Sequence, residues 1–121
     1  MKYELLRDEK KEVAGHTLYR IRYVDGTLGG WLESEKNLDP DSNALVLDNA
    51  CIYCNARVYD DARVYGKAHV ADNAQVFGNA LVYDEASVFG KARVYGTARM
   101  YDDDIVAGIG DISSDYHVYT T

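Results

Sequence analysis

The 121 residues are 47% apolar and 27% charged with a net charge of -7, a balance that fits one folded domain and excludes wholesale disorder. The acidity is spread, nine acids against seven bases in residues 1–43 and eight against six in 44–103, so a nucleic-acid mimic with one dense carboxylate stripe is disfavoured and nucleic acid is not expected as a partner. Eleven tyrosines beside a single proline lean towards β-structure, because aromatic rings suit pleated surfaces and few backbone donors are lost.

In chain order, the opening MKYELLRDEKKEV is charged where a secretory signal needs an apolar stretch, and no later run is long enough for a membrane helix. The expectation is a cytoplasmic protein with no membrane partner. Residues 1–43 carry no fixed period and read as an N-terminal β-hairpin cap. Tyr3 to Leu6 offer a strand, Thr17 to Val24 alternate apolar and polar, Asp25-Gly26 signals a hairpin turn, and Thr27 to Leu32 form a further extended segment. Trp31, the single tryptophan, is expected to plug the open end of the region beyond residue 43.

That region is a repeat of six. From Ala44 the chain reads ALVLDN, ACIYCN, ARVYDD, ARVYGK, AHVADN, AQVFGN, ALVYDE, ASVFGK, ARVYGT, ARMYDD, ten hexads without insertion. Alternate side chains of an extended strand share a face, so the invariant alanine and the aliphatic third residue face inward while the second and fourth face outward. Gly or Asp dominates the fifth position, where a corner calls for left-handed backbone angles. No 3.6-residue stripe fits this spacing, which excludes helices.

Four extended residues and a two-residue corner cannot pair with the next hexad; each must pair with its equivalent one full turn on. Three sides then close a prism of about 18 residues per turn with coils about 4.8 Å apart. The expected fold is all-β, a single-stranded parallel β-helix over residues 44–121, regular from 44 to 103 and degenerate from 104 to 121. In the degenerate part the alanine fails at Asp104, Gly110 and Tyr116, yet the third position continues at Val106, Ile112 and Val118.

These hexads resemble the bacterial hexapeptide-repeat superfamily of left-handed β-helices, and the left hand is implied by that resemblance alone. With the cap segments Tyr3-Glu4-Leu5, Gly15 to Ile21 and Gly29-Gly30-Trp31-Leu32-Glu33-Ser34-Glu35-Lys36-Asn37-Leu38, the chain is similar to small YdcK-like proteins of phages, prophages and bacteria, often labelled transferases. The label rests on fold, and fold is weak grounds for function.

Acyltransferases of the superfamily use a histidine at a subunit boundary, which makes His69, beside the small Ala71, the candidate catalytic residue. His16 lies in the cap and His117 near the end. A lone histidine lacks an orienting carboxylate and an oxyanion donor, so His69 reads more readily as a surface residue. Cys51 precedes His69 by one turn on the same outward column and Cys54 occupies the adjoining corner, but no fourth zinc ligand is evident. No cofactor and no metal are implied.

Projected onto three sides, the outward residues form columns. One side carries Leu47, Tyr65, Tyr83 and Tyr101 beside Leu45, Arg63, Leu81 and Arg99; a second carries Tyr59, Phe77 and Tyr95 beside Arg57, Gln75 and Arg93; the third carries Tyr53, Ala71, Phe89 and Ala107 beside Cys51, His69, Ser87 and Ile105. Stacked aromatics stabilise neighbouring strands, and aromatic and arginine side chains are enriched at protein interfaces. The leading expectation is a noncatalytic scaffold or binding module, with a phage among its expected sources, that forms a homo-oligomer (dimer or trimer) or binds a host protein through Tyr59, Phe77, Tyr95, Tyr65, Tyr83 and Tyr101 with Arg57, Arg93, Arg63 and Arg99. The alternatives are an acyltransferase-like enzyme using His69, and a viral inhibitor that binds a host defence protein or sequesters a signalling nucleotide.

Overall fold

The computed structural model describes residues 1–113; Asp115, Tyr116, His117 and Val118 lie outside the described residues. Among the described residues the chain is all-β apart from one 3-10 turn at Glu35–Asn37, and no helix is long and apolar enough to cross a membrane. Twelve two-residue strands succeed one another every six residues from Leu45–Val46 to Asp111–Ile112. Each pairs in parallel with the strand 18 residues away, as in Val64 with Val82 and Val82 with Met100. The result is a three-sided β-solenoid of about five turns.

The inward assignment holds at every regular coil. The first-position alanines from Ala44 to Ala98 and the third-position residues from Val46 to Met100 are fully buried. An alanine beside each corner and a branched residue at mid-side fill a core only two side chains deep, which leaves little room for a larger residue. Val106 continues the series, and Asp104 stands buried where alanine would be, its carboxylate accepting the Tyr101 N–H at 3.1 Å.

The corners explain why Asp alternates with Gly at position five. Asp48, Asp60, Asp72, Asp84 and Asp102 all have φ between 53 and 61°, a left-handed conformation that short polar side chains tolerate. The carboxylates of the first four reach one coil on and accept the corner N–H of Gly66, Gly78, Gly90 and Asp102 at 2.9 to 3.1 Å. An otherwise orphaned corner donor is thereby satisfied.

The cap has three strands: β1 (Tyr3–Val13), β2 (His16–Tyr23) and β3 (Leu28–Leu32). β1 is longer than the Tyr3 to Leu6 segment legible in the sequence, because its second half is mostly exposed and its charges hide any alternation. β1 and β2 form an antiparallel hairpin with a register shift between Leu6 and Lys10, and β2 pairs antiparallel with β3. β3 then pairs in parallel with Cys51–Ile52, and Leu38 bridges Val58. An initial coil therefore begins before Ala44, with Leu32 and Leu38, and is completed by Val46, with partners 20, 20 and 18 residues away.

Trp31 does not plug the end. It pairs with Cys51 on the outward side while its neighbour Leu32 takes the inward position and is fully buried. Strand alternation sends adjacent residues to opposite faces, so Leu32 inside requires Trp31 outside. Lys11 and Arg20 cover the indole at 4.6 and 5.2 Å. The end is closed instead by Tyr3, Ile21 and Tyr23, all buried. The two tyrosine hydroxyls occupy edge backbone groups: Tyr23 Oη donates to Val46 O at 3.0 Å and accepts from Val46 N at 2.9 Å, while Tyr3 Oη donates to Leu38 O at 2.5 Å. Leu45–Val46 is the edge strand of its sheet, and a phenol supplying both missing hydrogen bonds keeps another chain from adding there.

Candidate functional site

Two kinds of site emerge, a pair of flat aromatic walls and a polar cluster where the cap meets the third side. On one wall Tyr59 stacks on Phe77 and Phe77 on Tyr95, with ring centroids 4.9 and 5.0 Å apart and planes within 5°. On the next, Tyr65, Tyr83 and Tyr101 stack at 4.9 and 5.6 Å. These spacings come from the coil rise: identical positions repeat at the inter-strand distance, so flat rings sit face to face and offset. Arg57 and Arg93 lie beside Tyr59 and Tyr95 at 5.3 and 5.7 Å. Arg93 also holds Asp111 on the next coil through two hydrogen bonds of 3.0 and 2.9 Å, and that guanidinium keeps the Asp111 carboxyl below its usual range. Arg63 and Arg99 are exposed on the Tyr65 wall. The six wall aromatics are each partly exposed.

The third side is different. Cys51, Tyr53 and Ala71 are buried on its outer surface, in a small second core with Leu18 and the adjoining Val13, Trp31, Cys54 and Phe89. The β1–β2 hairpin folds back over the first coils of this side, while Ile105 and Ala107 further along it are exposed. Ala71, which breaks the aromatic column, leaves the space that Leu18 and its neighbours occupy instead of an open groove. His69 is half-buried here with the Tyr53 ring edge-on at 6.1 Å, and burial, with the nearby Lys11 charge as a second cause, lowers its pKa. Its ring makes no hydrogen bond among the described residues, so no carboxylate orients it.

Cys51 and His69 do pair across adjacent coils, but Cys54 does not join them. Its partners come from the cap. Cys54 Sγ lies 3.5 Å from His16 Nε2, His16 Nδ1 lies 2.9 Å from Glu33 Oε2, and Glu33 Oε1 accepts the Cys54 N–H at 2.7 Å. Glu33 thus does for the Cys54 corner what aspartates do for later corners, and uses its second oxygen to fix the imidazole. Burial pushes the Glu33 carboxyl up, but the His16 and Cys54 hydrogen bonds and the His16 and Lys36 charges outweigh it and leave the net shift downward. Three side chains from residues 17 to 38 positions apart have no spacing signature. The one available sign is a cysteine at a corner where every other regular hexad has Asp or Gly.

A depression of about 600 Å³ lies at the cap end, lined by Tyr3, Arg7, Arg22, Tyr23 and Glu35 among others; it contains neither histidine nor cysteine. A comparison with curated proteins gives no match. The YdcK β-solenoid repeat family model does match, over residues 56–72 and 74–90, two segments within the regular coils, so the repeat that builds both aromatic walls is similar to that β-solenoid repeat.

Proposed function

We propose that the chain is a noncatalytic β-solenoid scaffold that self-associates through its two aromatic walls. The observation that supports this reading is the asymmetry of cover. The side with a broken aromatic column is roofed by the chain's own hairpin, whereas among the described residues no cap strand lies over either unbroken column. Flat, regularly spaced aromatic and arginine side chains are the residue types that bury well against another protein.

Area decides between stoichiometries. Four strands about 4.8 Å apart and about four residues wide give each wall roughly 20 Å by 15 Å, or about 300 Å², well short of the roughly 800 Å² per partner in a stable interface. One wall alone supports only a weak dimer. Association in which the Tyr59 wall of one copy meets the Tyr65 wall of the next uses both walls and roughly doubles the buried area per protomer. An acyl-transfer reading centred on His69 draws less support, since that ring is half-buried beside Tyr53 without an orienting carboxylate.

Sedimentation velocity across a concentration series tests the proposal. The native chain is expected to shift towards species larger than a dimer as concentration rises. Substituting either Tyr59, Phe77 and Tyr95 or Tyr65, Tyr83 and Tyr101 by serine should abolish the shift. A native chain that stays monomeric throughout overturns the reading.

A further inference from the structure

The Cys54 cluster has a chemistry independent of the walls. His16 engages the thiol through Nε2 and the carboxylate through Nδ1, so the imidazole lies between a nucleophile and an anion. That is the order needed to take a proton from sulfur and stabilise the resulting imidazolium. One ligand atom from each of His16, Glu33 and Cys54 lies within 4.8 Å of the others, but three protein ligands fall short of the four of a closed structural zinc site. The other cysteine provides an internal contrast: Cys51 is buried, its Sγ donates to Asn49 O at 3.5 Å, and burial pushes its thiol pKa up. Cys54 is partly exposed, and the His16 and Glu33 side chains are 36% and 32% exposed.

The cluster stops short of acyl chemistry. An acyl intermediate needs free N–H donors near the nucleophile, but the Cys54 N–H is held by Glu33 and the Asn55 N–H by Asp72 O at 2.8 Å. Exchange at sulfur needs no such donors. We propose that Cys54 is a covalent modification site, a base-assisted thiol that exchanges with small disulfides.

In the step, Cys54 Sγ attacks one sulfur of the disulfide while its proton passes to His16 Nε2. A new S–S bond forms to Cys54, the original S–S bond breaks, and its electron pair leaves on the departing thiolate, which takes the proton from His16. Cys54 is oxidised and the released half of the disulfide is reduced to a thiol. Cys51, buried and bonded to Asn49, offers no second thiol at the surface to resolve the adduct, so the product is one mixed disulfide per chain.

The full chain treated with 5,5′-dithiobis(2-nitrobenzoate) gives the test, with the modified residue located by peptide mass mapping. Cys54 should react at least about tenfold faster than Cys51 and than a free thiol at neutral pH, a modest demand on a positioned base. The titratable groups facing His16 are Glu33, Cys54 and the Tyr53 ring at 5.5 Å, with Lys36 acting on Glu33 and Asp72 on Tyr53. His16→Gln and Glu33→Gln should each return Cys54 to the free-thiol rate with unchanged circular dichroism. If either variant fails to fold, the ratio of the Cys54 and Cys51 rates in the native chain decides. A Cys54 rate no faster than that of a free thiol, or stoichiometric zinc binding that blocks the reaction, overturns the proposal.

Discussion

The third side and the two aromatic walls are built on the same backbone, coil for coil, yet one is roofed by its own chain and the others carry no cap strand among the described residues. The difference lies in the outward residues. Where the column reads Tyr53, Ala71, Phe89, with Cys51 and His69 beside it, the hairpin fits Leu18 over a gap and buries a second core. Where the column is an unbroken ladder, the rings stack on one another and present a level surface. A repeat thus fixes the inside of a solenoid, while departures from the repeat decide which outside belongs to the chain itself.

The sharpest way to break this comparison is to place a charge on each surface. Leu18→Asp buries a carboxylate beneath the hairpin and is expected to cost more than about 3 kcal/mol, whereas Phe77→Asp on an open wall, which loses two ring pairs, should cost no more than about 2 kcal/mol in monomer stability. Urea unfolding of both variants at a concentration where the chain is monomeric checks the contrast. Equal losses would mean that the walls are as enclosed as the third side.

The closed end extends the comparison. Tyr23→Phe leaves the Val46 N–H and carbonyl without the phenol that serves both, an expected loss of about 1 to 3 kcal/mol by the same measurement.

The same residue makes a pH prediction. Burial pushes the Tyr23 phenol up to about 12, against the opposing pull of its Val46 hydrogen bond, and burial also raises Tyr3. Both values are raised on folding, so their contribution is fully present below the ordinary tyrosine value of about 10 and is lost as pH rises through the folded value. Thermal melts should hold steady up to about pH 10 and then fall, and Tyr23→Phe should fall less steeply. The smallest effect belongs to the walls themselves: Tyr59→Leu should cost only about 0.2 to 1 kcal/mol per lost ring pair, read as a small change in the urea midpoint.

The solenoid is legible because its signal is redundant. Ten alanines and ten aliphatic residues at a fixed interval leave one solution for the interior, and the outward columns come from alternation. The opening coil is not legible, because two extra residues between Leu38 and Val46 break the six-residue period and Gly30 replaces its alanine. A Cβ there would meet Ala50 O at 2.6 Å, so only glycine lets β3 approach the next coil. Trp31 is ambiguous for the same reason: without the register of Leu32, its side of the strand is unknown. His16, Glu33 and Cys54 come together only because the hairpin folds back over the third side, a tertiary event that local periodicity does not encode.

Tyrosine nitration mapped by mass spectrometry over a concentration series tests most directly whether one side is closed by its own chain and two are open to another copy. Tyr53 should stay protected at every concentration, while Tyr59, Tyr65 and Tyr95 should react when the chain is dilute and become protected as it is concentrated. Tyr53 reacting as readily as the wall tyrosines, or wall tyrosines that remain equally reactive throughout, would contradict the account.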